Sequence, residues 1–163
     1  MNNGKPSGTV LVIGLGSPIM SDDAIGLRIA DAVGRMNIRN VETLQEAVGG
    51  LDIIPMIMGY RNVIITDAIM TGACDPGTII IFDPEDFEPT VGNASAHEMN
   101  LATAMRIGRQ MDPDNMPESV KFVAVEVSDI MTVSENMTAA VTAALPDAVD
   151  TVLMLIDEFQ MSI

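Results

Sequence analysis

Four side chains in this sequence could do chemistry together. Asp22 and Asp23 are adjacent in "GLGSPIMSDDAIGLRIADAV", Asp67 ends the apolar run in "NVIITDAI", and His97, the only histidine, stands in "SAHEMNL". Two carboxylates and a neutral imidazole form a mixed oxygen and nitrogen set that suits Zn²⁺, Ni²⁺, Fe²⁺ or Mn²⁺. The same groups can take a proton from an attacking water. Three protein ligands, Asp23, Asp67 and His97, leave coordination positions open for water or for ligands that a substrate brings. Each residue also has a plainer role. Aspartates at a helix start cap free N–H groups, and Asp22 is well placed as such an N-cap. Asp67 could accept backbone hydrogen bonds at a strand end, and a lone histidine can be a surface or capping residue.

The elements around them decide whether they can meet. "TVLVIGLG" is a continuous apolar run ending in glycines, as in a parallel strand buried on both faces. A helix follows, with Ile25, Ile29, Ala32, Val33 and Met36 on one face. "NVETLQEA", "NVIITDAI", "GTIIIFD" and "VKFVAVEV" read as further strands, and "GGLDIIPMIMGY" as a short helix or one interrupted before Pro55. "SAHEMNLATAMRIGRQM" is a helix with Ser95 and Glu98 at capping-box spacing, so Ser95 is the expected N-cap. A last helical pattern runs from about Ser134 to Phe159, with Pro146 expected to kink or split it.

Strands alternating with helices predict a three-layer α/β/α sandwich. Its sheet has about five strands, mostly parallel and twisted, with helices on both faces. The turn before "GTIIIFD" is too short for a parallel crossover, so that strand is expected to be antiparallel. Ligands of such sheets bind beyond the carboxyl ends of the strands, at the switch point. Asp67 and Asp23 fall at that edge if the first and third strands are neighbours. The long loop before "SAHEMNL" can return His97 to it.

Composition excludes other classes. The formal charge is −15 with only 8 Lys and Arg, which disfavours nucleic acid and anionic membrane surfaces as partners. No apolar run is expected to span a bilayer and "MNNGKPSGTV" has no apolar signal core, so the expected compartment is the cytoplasm. The single cysteine, Cys74, rules out an internal disulfide and is expected to be a small semi-buried side chain. "GLGSPI" begins like a dinucleotide-binding loop, with Glu46 as a conceivable ribose ligand. Ile19, however, takes the place of the third glycine that permits close helix–strand packing. Of the methionines, Met99, Met105 and Met111 are expected at the core or its margin, and Met20 is expected to pack against a helix, with contact to an extended peptide at a crevice rim as the alternative.

The sequence resembles the hydrogenase maturation endopeptidases over nearly its whole length. The likeness rests on "VIGLGSPIMSDDAIGLRIADAV", similar to the family's G-x-G-N-x-(L/I)-x-x-D-(D/E)-x-x-G opening. It continues in "EAVGGLDIIPMI", "NVIITDAI", "SAHEMNL" and, more loosely, "MTVSENMTAAVTAALPDAVDTVL". Ser17 and Pro18 depart from the family's usual residues, and Asp23 stands where some members have Glu. The resemblance implies one domain over 1–163. It implies an endopeptidase that removes the C-terminal extension of a NiFe hydrogenase large-subunit precursor once nickel is in place. Asp23, Asp67 and His97 would be the metal ligands and catalytic groups. Nickel would arrive with the precursor, free enzyme would bind divalent metal weakly, and the enzyme would be a monomer. A non-catalytic nickel-sensing chaperone or scaffold for the large subunit is the alternative, and a metallohydrolase of small substrates is a more distant one.

Overall fold

A computed structural model describes residues 8–86 and 96–162. Five strands form one sheet: β1 Val10–Leu15, β2 Val41–Glu46, β3 Asn62–Ile69, β4 Ile79–Phe82 and β5 Ser119–Glu126. Their order is β2-β1-β3-β5-β4. β1 pairs in parallel with β2 and β3, β3 pairs in parallel with β5, and β4 is antiparallel to β5, as its short connection required.

Alternation along the strands sorts their side chains into two cores. Val10, Val12, Ile64, Val123 and Val125 pack beneath α1 (Ile25–Arg35) and α4 (Ala139–Met161). Leu11, Ile13, Leu15, Val63, Ile65 and Phe122 pack beneath α2 (Ile54–Ile57) and α3 (Ala96–Met111). All six residues of β1 are buried, which is why its sequence is an unbroken apolar run. The helices lie on both faces, giving the expected three layers.

α2 is the short helix, one of the two forms expected, and Pro55 does not break it because it sits in the first turn, where no N–H is needed. Several local expectations need correction. α4 begins at Ala139 and not near Ser134, and Pro146 does not split it. Pro146 is exposed, so the carbonyl freed by its missing N–H can turn to water. α4 is also long and apolar enough by composition to cross a bilayer, contrary to the expectation of no such run. Its Val141, Ala144, Ala148, Val149, Val152, Leu155 and Ile156 are instead buried against the sheet and α1. Cys74 is exposed, since its turn stands clear of the core. Met105 is buried, but Met111 at the end of α3 is 79% exposed.

Candidate functional site

The chain runs from β1 to β2 on one side and from β3 to β4 and β5 on the other, so the switch point of the sheet falls between β1 and β3 at their carboxyl edge. Asp67 is the sixth residue of the eight in β3 and is 4% exposed. It shares a strand face with Val63 and Ile65, the face covered by α3. Its Oδ1 accepts the Ala68 N–H at 2.8 Å, so the capping role at the strand end is present too.

Asp23 belongs to a 3-10 turn, Ser21–Ala24, which carries the chain from β1 into α1. Its Oδ2 accepts the Ser17 N–H at 2.9 Å, folding the carboxylate back over the glycine turn. Gly16 has φ +141°, and a Cβ there would collide with the Asp23 carbonyl oxygen. Three residues on, Gly26 lies over the seam between β1 and β3. A Cβ on Gly26 would collide with the carbonyl oxygens of both Leu15 and Thr66, and the Thr66 hydroxyl donates to the Gly26 carbonyl at 2.8 Å. Gly26 thus supplies the close helix–strand packing that Ile19 seemed to deny, a few residues further on. The result sets the Asp23 turn against β3, at the edge where Asp67 lies.

His97 is the second residue of α3. The far end of that helix is at the amino edge, because Asn115 beyond it accepts the Gly59 N–H at 2.8 Å, just before β3 begins. Sixteen residues rise about 24 Å, close to the height of the sheet, so the first turn points to the carboxyl edge. The side chain of His97, and Ser95 with its expected cap, lie outside the described residues. Among the described residues no three His, Cys, Asp or Glu side chains gather as a metal site. Asp23 and Asp67 offer carboxylate oxygens, a donor set that fits a divalent cation needing further ligands.

Two residues have roles that sequence reasoning did not find. Asp22 is not an N-cap: the cap position is Met20, and no side chain caps the 3-10 turn. Asp22 is fully buried and gathers the segment after β5. Its Oδ1 accepts Thr138 N–H at 2.7 Å. Its Oδ2 accepts Ser128 N–H at 3.2 Å, Asp129 N–H at 3.1 Å and the Thr138 hydroxyl at 3.0 Å, with the Ser128 hydroxyl at 3.4 Å. Thr138 is the N-cap residue of α4, which is why that helix starts late. Glu126, 1% exposed at the end of β5, accepts Thr71 N–H at 2.9 Å, Gly72 N–H at 2.8 Å and the Thr71 hydroxyl at 2.9 Å. An acid ending an apolar strand, as in "NVIITDAI", was the signal available in "VKFVAVEV".

The profile of the hydrogenase maturation protease family matches residues 28–155. The chain is 28% identical over 152 residues to the hydrogenase 2 maturation protease of Escherichia coli K12, covering 91% of each chain. It is 22% identical over 162 residues to the hydrogenase expression/formation protein HupD of Rhizobium leguminosarum bv. viciae, covering 97% of this chain and 79% of that one. Among solved structures it is similar to the hydrogenase maturating endopeptidase HybD from E. coli, with a TM-score of 0.76 at 26% identity over 92% and 93% of the two chains. The fold is also that of the maturation protease HybD from Thermococcus kodakarensis, with a TM-score of 0.73 at 22% identity over 91% and 99%. With its sheet order, its acidic edge and a family match over most of its length, this chain belongs to the hydrogenase maturation proteases.

Proposed function

We propose that this protein removes the C-terminal extension of a NiFe hydrogenase large-subunit precursor after nickel insertion, and that it uses the precursor's own nickel to recognise it. The observation that carries this reading is that Asp23, in the turn after β1, and Asp67, near the end of β3, both lie at the carboxyl edge of these two adjacent strands. The direction of α3, with His97 in its first turn, supports a third ligand at the same edge.

The roles follow from the side chains. Asp23, Asp67 and His97 complete the coordination of the nickel that the precursor carries, and so dock the bond next to it in the crevice. Held there by these residues, the precursor's nickel would supply Lewis-acid polarisation of the scissile carbonyl. A carboxylate at the edge accepts the proton of the attacking water, and that proton passes to the leaving amine. Free enzyme, holding two or three ligands and no cargo, binds divalent metal weakly.

Intact mass spectrometry of a nickel-loaded large-subunit precursor tests this. The expected result is one loss of a C-terminal peptide, seen with nickel and absent without it, and abolished in Asp23→Ala, Asp67→Ala and His97→Ala. A stable complex with no change in mass would replace the endopeptidase with a nickel-sensing chaperone.

A further inference from the structure

Three large apolar side chains stand out into solvent next to the Asp23 turn: Ile19 is 50% exposed, Met131 80% and Val133 75%. Ile19 lies four residues before Asp23, and Met131 and Val133 lie in the segment after β5. Backbone hydrogen bonds join the two stretches. Ser134 N–H donates to the Ile19 carbonyl and Ser21 N–H to the Ser134 carbonyl, both at 2.9 Å. The segment is also pinned from within. Asp22 holds it at Ser128, Asp129 and Thr138. The Asp129 carboxylate takes Met131 N–H at 3.0 Å and Thr132 N–H at 2.9 Å. Apolar side chains on a pinned backbone lose less entropy when a partner covers them.

Charge identifies the kind of partner. The loops after β1, β2, β3 and β5 (residues 16–24, 47–53, 70–78 and 127–138) hold six Asp and Glu and no Lys or Arg. Arg35, Arg39, Arg61 and Lys121 lie toward the other edge, near strand starts or after α1. Arg28, in α1, reaches this side and donates to the Glu135 carbonyl at 3.4 Å, leaving the acidic residues in excess there. A second copy of this chain would set the same acidic loops against each other, and an anionic lipid surface is repelled in the same way. A polypeptide face carrying aliphatic side chains among Lys and Arg matches both the apolar prow and its field.

We propose that Ile19, Met131 and Val133, framed by Asp129 and Glu135, form the surface on which the precursor docks, and that they receive aliphatic side chains from a cationic face of it. This rests on the proposed function for the partner's identity, and adds where and by what chemistry the partner is held.

The test compares the wild type with the double variant Met131→Ser/Val133→Ser and with Glu135→Lys, using the nickel-loaded precursor. Both changed sites of the double variant are solvent-exposed, so its unfolding midpoint should match the wild type. The expected result is a KM raised about tenfold in the double variant with kcat within about twofold, since uniform binding is lost and not transition-state binding. Added salt should raise the wild-type KM, and raise it less in Glu135→Lys. An unchanged KM in the double variant, with the wild type cutting normally, overturns the docking surface and leaves the endopeptidase standing. A wild type that binds the precursor without cutting it, with binding weakened in the double variant, does the reverse. A dimer in gel filtration that the double variant disperses would assign the patch to a second copy and overturn the proposal, as would a wild type that neither cuts nor binds.

Discussion

Replacing Asp22 by asparagine changes almost no volume, so its effect isolates hydrogen bonding. The partners of Asp22 are four donors within 3.2 Å and a fifth, the Ser128 hydroxyl, at 3.4 Å. Three of them are backbone N–H groups, which cannot accept. If the asparagine oxygen takes the place of Oδ2, its NH₂ group faces the Thr138 N–H across the 2.7 Å now spanned by a hydrogen bond. If the amide turns over, the NH₂ faces the Ser128 and Asp129 N–H groups instead. At least one N–H facing the buried Asp22 side chain is orphaned, at about 1–3 kcal/mol, and the surviving bonds lose their charge assistance. The sum is about 3 kcal/mol. With a urea dependence of about 2 kcal/mol per M, the unfolding midpoint should fall by about 1.5 M. Circular dichroism in urea measures the shift, and amide hydrogen exchange localises it to Ser128, Asp129 and Thr138. A shift below about 0.3 M with unchanged exchange at those amides would refute the idea that Asp22 holds this segment.

Other substitutions separate other causes. Glu126→Gln should cost only the lost charge assistance, because its oxygen can keep the Thr71 and Gly72 N–H groups while the Thr71 hydroxyl turns round to accept. Glu126→Ala should lower the urea midpoint by about 1 M, and equal midpoints for the two variants would contradict this account. Gly26→Ala drives a Cβ into two backbone carbonyls, with the Thr66 carbonyl carbon only 2.9 Å away. It should destabilise by about 2 kcal/mol despite alanine's better helix propensity, and cut activity, because α1 and Asp23 must move together. Gly72→Ala, with open space around it and φ +68°, should show only the backbone penalty of about 1 kcal/mol. Tyr60 gives a pH test. Burial, and then the Glu42 carboxylate that its hydroxyl reaches at 2.5 Å, push its ionisation well above the usual tyrosine range. Its contribution is therefore complete below the unfolded value of about 10 and is lost as pH rises from there toward the folded value. Wild-type stability should fall with pH above about 10, and Tyr60→Phe should show a flatter profile in the same denaturation series.

Local pattern was enough for much of this protein. The unbroken apolar run of β1 required a strand covered on both faces, and alternating strands and helices then required three layers. The short turn before β4 settled that strand's direction, since a parallel crossover needs more chain. Asp67 was legible because an acid ending an apolar strand has few other places to be than the carboxyl edge. Asp22 was not legible. An aspartate at a helix start looks like a cap from sequence alone, while its partners lie 106 to 116 residues away, and nothing local marks a hydrogen bond of that span. The start of α4 failed for the same reason, because Thr138 turns its N–H and hydroxyl to Asp22 and the helical pattern upstream of it is overruled. Periodicity reports which face of an element is buried. Only the folded chain decides which buried charge meets which donor, because that depends on packing distances no single segment contains.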